Sequence, residues 1–241
     1  PEFENGFEIA SGYLHKYKSG QWTLYDSLIS FSLKNIVADV EIDRSGKVVI
    51  ATSKGIIIKD NENYLVFDKS NSPLPDNDIF TVAVDYNNKY YIGIPNFGVT
   101  VYDNGTWLNY NYQNSFNGIE DLNFIFVDKS NNIWIGTDYY GLFMFDGVNW
   151  HEKINKTYNN KNCYIMGISE DINGVKFVAL QTADGKHYIA SGTDYPFTFV
   201  EFADTSHPFA FFAYNSIKVD KKNNLFVGTT NGLFMNSNNN W

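Results

Sequence analysis

One unit of about 43 residues is written over and over along this chain. An aspartate closes an apolar stretch at Asp43, Asp85, Asp128, Asp171 and Asp220. Eight positions after each stands a small residue: Ala51, Gly93, Gly136, Ala179 and Gly228. A glycine recurs in steps of 43 at Gly12, Gly55, Gly98 and Gly141, and returns at Gly232. An aromatic keeps the same beat at Trp22, Tyr64, Trp107, Trp150 and Trp241. A supersecondary unit of this length cannot bury its own apolar faces, so successive copies must stack.

Within a unit the pattern is all strand. Residues 122–128 (LNFIFVD) read as a first strand, followed by an Asn-rich turn of the kind that tolerates left-handed backbone. Residues 133–137 (IWIGT) are a second strand, 141–145 (GLFMF) a third, and a fourth opens at Trp150. The chain is therefore expected to be all-β, a β-propeller of four-stranded antiparallel blades in about six repeat units, the two terminal ones incomplete. The small residue of the second strand reads as the place where a neighbouring blade inserts a bulky side chain. Pro1-Glu2-Phe3 reads as a cloning scar. Residues 4–241 are then a single propeller domain, or a fragment of one, within a longer polypeptide.

The Gly-His and Trp-Asp pairs of WD-type blades and the Gly-Gly pair of kelch blades do not occur. Residues 128–147 (DKSNNIWIGTDYYGLFMFDG) instead resemble the bacterial two-component regulator propeller repeat, whose core reads D-x-x-G/N-N-I-W-I-G-T-x-x-G-L-x-x-Y/F-D. The likeness recurs from Asp220 to Met235 and from Asp43 to Lys59, weakens from Asp85 to Asp103 and degenerates from Asp171 to Phe202. The resemblance implies a periplasmic or extracellular setting, either as the sensor domain of a hybrid histidine kinase, often responding to carbohydrate, or as part of a secreted surface protein.

Charge narrows the partners. The formal net charge is -9 and the sole arginine is Arg44. Phosphate backbones are held by clustered basic side chains, arginine above all, so nucleic acid is excluded as a partner. A sialidase, which holds a carboxylate with several arginines, fails on the same inventory. No apolar run approaches the roughly 18 residues of a membrane helix and no signal peptide is present, so this segment is not expected to insert into a membrane. The single cysteine, Cys163, lies in an apolar strand and reads as a buried thiol.

No catalytic motif stands out, and the chain is read as a binding protein rather than an enzyme. The recurring aspartates read as turn caps, because each turn offers one carboxylate where a calcium cage needs several oxygens. His15, His151, His187 and His207 fall in different units without metal-ligand spacing, so neither metal nor cofactor is expected. Three functions stay open: a module sensing an oligosaccharide or protein ligand for a signalling partner, a structural or adhesive surface propeller, and a polysaccharide-degrading enzyme.

The candidate ligand face follows from strand direction. Loops joining second to third strands, and blade to blade, leave one end of the sheets, while the Asp and Asp-Gly turns leave the other. The first end holds Phe97, Tyr139 and Tyr140, with Phe116, Tyr158 and His207 in the longer linkers. Aromatics that stack on sugar rings beside amides that bond hydroxyls are one way to hold a neutral carbohydrate. The adjacent pair Tyr139-Tyr140 is expected to contribute most, because a tight loop cannot turn both rings into the core.

Overall fold

A computed structural model of the chain describes residues 5–10, 13–18, 21–24, 36–116, 118–158, 161–194, 196–201, 214–229 and 232–237. Strand makes up 60% and no α-helix occurs among the described residues. The backbone divides into two compact units, Pro1–Asn111 and Tyr112–Trp241. In the first, β1 (Asn5–Ala10), β2 (Tyr13–Lys18) and β3 (Gln21–Leu24) form a three-stranded sheet. Two four-stranded sheets follow. One is β4 (Val37–Ile42), β5 (Val48–Thr52), β6 (Gly55–Asp60) and β7 (Asn63–Phe67); the other is β8 (Thr81–Val84), β9 (Tyr90–Ile94), β10 (Gly98–Asp103) and β11 (Thr106–Tyr110).

The second unit opens with β12 (Leu122–Val127), β13 (Ile133–Thr137), β14 (Leu142–Phe145) and β15 (Trp150–Ile154). A five-stranded sheet follows, β16 (Thr157–Tyr158), β17 (Lys161–Glu170), β18 (Lys176–Thr182), β19 (His187–Gly192) and β20 (Thr198–Glu201), then a three-stranded one, β21 (Tyr214–Val219), β22 (Leu225–Thr229) and β23 (Gly232–Asn236). Every sheet is an antiparallel meander in chain order, the blade of a β-propeller. The blade count is five rather than about six. Among the described residues the terminal units supply three strands each and so do not make two further complete blades.

The repeated aspartate is a turn cap in all five units. One carboxylate oxygen accepts the backbone N–H groups two and four residues on, at 2.7–2.9 Å, in the turns of Asp43, Asp85, Asp128, Asp171 and Asp220. The residue three positions on has positive φ in each: Gly46, Asn88, Asn131, Gly174 and Asn223. Glycine and asparagine adopt that conformation at least cost, which explains their alternation there.

In two of these turns, those of Asp43 and Asp128, the cap's second oxygen reaches the next blade. Asp43 Oδ2 accepts the Tyr90 hydroxyl at 2.8 Å. Asp128 Oδ2 accepts the Trp134 indole N–H at 2.9 Å and faces the Lys176 ammonium at 3.3 Å. Lys176 is also 3.1 Å from Glu170, and both Lys176 and Asp128 are buried. Neighbouring turns are tied as well: the amide of Arg44 donates to Asn88, that of Lys129 to Glu170, and that of Ile172 to Asn223.

Apolar faces meet between blades as the repeat requires. In the first unit Val49, Ala51, Ile56 and Ile58 pack with Ile79, Val82, Val84 and Ile92. In the second, Trp134, Leu142 and Met144 pack with Cys163, Ile165, Ile168 and Val178. The small residue of the second strand serves its own sheet first. A Cβ on Gly136 would lie 2.2 Å from the ring of Phe124, its partner on β12, and 3.0 Å from Ile165 of the next blade. Replacing Gly136 with leucine is expected to destabilise the fold by about 1–3 kcal/mol through overpacking, read as a lower melting temperature; an unchanged melting temperature would show that Phe124 and Ile165 yield freely.

Candidate functional site

The end of the sheets opposite the Asp turns is built around loops that run from a threonine to a glycine three or four residues on. In the β13–β14 loop the Thr137 hydroxyl donates to the Gly141 carbonyl at 2.9 Å and accepts the Tyr140 amide at 2.9 Å. Thr52 with Gly55 and Thr229 with Gly232 repeat the first of these bonds. Gly141 has φ +91, and a Cβ there would stand 2.0 Å from the Ile154 carbonyl oxygen of β15. Glycine thus lets the fourth strand pass close behind the loop.

That loop presents Tyr139, which is 49% exposed. Its ring meets Tyr164 of β17 edge-on, with centroids 5.2 Å apart and planes at 66°. Tyr140 is half-buried, and its ring fills the space where Gly118 lacks a side chain. Beside the tyrosines, Asn123 Nδ2 donates to Asp138 Oδ1 at 2.6 Å and to the Ile165 carbonyl at 3.1 Å. The Asp138 amide donates to the Asp121 carbonyl at 3.0 Å. An aromatic pair, an amide and one carboxylate therefore meet at the junction of two blades of the second unit.

The remaining candidate residues have separate fates. Phe97 lies in the β9–β10 loop of the first unit and is 44% exposed. Phe116 is buried, stacked on Phe143 at 3.7 Å and edge-on to Trp150. Tyr158 stacks on Phe199 at 4.2 Å, edge-on to Tyr188, so both of these aromatics serve packing. His207 lies outside the described residues. Tyr164 and Asn123 were not among the candidates, although the alternation of Cys163 and Ile165, both buried, turns Tyr164 to the opposite side of its strand.

Other reactive groups are spoken for. Burial pushes the Cys163 thiol up to about 11, so it stays protonated and inert. Burial lowers the pKa of His187, which favours the neutral ring. Asp146 is held at about 2 by the Asn149 amide, the His151 ring and the Val148 amide, in an exposed hairpin turn. No helix among the described residues is long and apolar enough to cross a membrane.

No family model matches the sequence, and comparison with curated proteins returns no match. Solved structures do resemble it. Two are extracellular domains of B. thetaiotaomicron proteins named as hybrid two-component systems. One has a TM-score of 0.75 at 15% identity over 98% of this chain and 31% of that one. The other has a TM-score of 0.75 at 20% identity over 98% of this chain and 32% of that one. A third is virginiamycin B lyase from Staphylococcus aureus, with a TM-score of 0.71 at 15% identity over 98% of this chain and 82% of that one. The chain spans about a third of the length of the two extracellular domains. At these identities the shared property is the fold, a β-propeller that one neighbour places in an enzyme and two place in extracellular domains.

Proposed function

We propose that the chain is an extracytoplasmic ligand-sensing propeller module, part of a longer polypeptide, that holds a neutral oligosaccharide and reports it to a signalling partner. The observation that supports this most is the exposed Tyr139 ring set against Tyr164 beside the Asn123–Asp138 pair. Tyrosine faces stack on the apolar faces of sugar rings, and amide and carboxylate groups bond the hydroxyls. The setting is inferred from the repeat resemblance and from the extracellular neighbours that share the fold. The role is read as binding rather than catalysis, because the Asp138 carboxylate is engaged at Oδ1 by Asn123.

The test is calorimetry with linear hexasaccharides of glucose, xylose and mannose. Replacing Tyr139 with alanine is expected to weaken the binding of whichever sugar the unaltered protein takes by roughly tenfold or more, the scale of about 1–2 kcal/mol for one lost stacking contact. The fold should persist, because Tyr139 is half exposed. Unchanged binding by this variant would place the sugar elsewhere.

A further inference from the structure

We propose that Asn123 is the positioning residue that holds the tyrosine loop of one blade onto the β17 strand of the next, so that Tyr139 and Tyr164 form one surface. This rests on the reading of that surface as the binding site. Asn123 sits in a β-bulge, where the register of β12 against β13 shifts between Leu122 and Phe124. A bulge re-aims the extra side chain away from the regular alternation of the strand. Here the re-aimed amide uses both of its N–H groups. One goes to Asp138 Oδ1 in the loop, the other to the carbonyl of Ile165, next to Tyr164 on the neighbouring blade.

The same bulge recurs between Val37 and Asp39, between Ile165 and Gly167, and between Tyr214 and Ser216. The bulged residues there are Ala38, Met166 and Asn215. Neither alanine nor methionine has a side-chain N–H to donate. The bridge from bulge to loop is therefore not a requirement of the repeat. The Asp138 and Tyr140 amides bond to Asp121 and within the loop, so beside the Tyr139–Tyr164 ring contact the loop's hydrogen-bonded hold on the next blade runs through Asn123.

Three variants test this by amide hydrogen exchange at Asp138 and Tyr140, on protein shown to be folded. Asn123→Ala is expected to speed exchange at both amides by roughly tenfold, the loss of about one net hydrogen bond. Asn123→Asp sets two carboxylates at the 2.6 Å separation of the present bond. They can be held together only by sharing a proton, so the fast exchange of this variant, referenced to the intrinsic rate at each pH, should revert toward that of the unaltered protein as the pH falls below about 5. Pairing Asn123→Asp with Asp138→Asn restores the bond between bulge and loop but leaves the Ile165 carbonyl without its donor, so it should slow exchange at neutral pH only in part.

In parallel, each variant is titrated with the hexasaccharides, and Asn123→Ala is expected to weaken binding by about as much as Tyr139→Ala. Exchange at Asp138 and Tyr140 that is unchanged in Asn123→Ala, or a pH-independent defect in Asn123→Asp, overturns the assignment whether or not any sugar binds. Absence of binding by the unaltered protein instead overturns the oligosaccharide reading, and exchange still decides the role of Asn123.

Discussion

Replacing Asp128 with alanine is expected to cost about 3–5 kcal/mol, the range for removing one partner of a buried ion pair. The change leaves the turn amides of Ser130 and Asn132 without their acceptor, strips the Trp134 indole of its bond, and leaves buried Lys176 with one carboxylate, Glu170, beside the carbonyls of Gly174 and Thr193. Urea unfolding measures the loss, and a cost below about 1 kcal/mol would show that water replaces the carboxylate cheaply. Asp128→Asn keeps the acceptor for the turn but not the charge, and should fall between.

The same carboxylate shapes the acid response. Burial raises its pKa, but the side chain of Asn132, the Trp134 indole, the Asn132 amide and the Lys176 charge outweigh that and hold it below the ordinary value. Asp43 is also lowered: burial opposes, and bonds from Ser45, Tyr90 and Lys47 prevail. A carboxylate with a depressed folded pKa stabilises fully above its unfolded value of about 3.9 and loses that contribution as the pH falls through the folded value. Stability should therefore decline with acid below about pH 4, and the decline should be shallower in Asp128→Ala.

Gly141→Ala is expected to destabilise by roughly 2–4 kcal/mol, from a left-handed backbone combined with a steric clash. The added Cβ meets the Ile154 carbonyl, which cannot retreat without pulling β15 off its sheet. Gly147 separates the two causes. It shares a positive φ of +95 but has nothing within 4 Å of an added Cβ. Gly147→Ala should then cost only the backbone strain, about 1 kcal/mol. Equal melting temperatures for the two variants would mean that the approach of β15 contributes nothing.

Much of the fold was legible because the same physical demand recurs in each unit. A tight turn needs an acceptor for its amides and one left-handed residue, and Asp followed three positions later by Asn or Gly states both. Blade number was less legible, because the terminal units hold three strands each and a repeat motif does not reveal which strands are absent. The candidate surface was legible only in part. Phe116 does lie in a linker, but Tyr158 falls in β16, and both rings fold onto an adjoining sheet, which linker position alone does not reveal. Asn123 was hidden because a bulge breaks the alternation from which side-chain direction is read.

At two junctions the second oxygen of the capping carboxylate gives the pair of blades its own address. Asp43 is met by a phenol from Tyr90, whereas Asp128 is met by an ammonium from Lys176. The turn chemistry is common to all units, so gene duplication could copy it without penalty, but the cross-blade partner is private to its pair. Transplanting the blade that carries Tyr90 behind the one that carries Asp128 would keep every turn intact and still leave a buried carboxylate without its cation. The order of those blades is thereby written into the chain, and later divergence of these duplicated units would be constrained in pairs rather than one unit at a time.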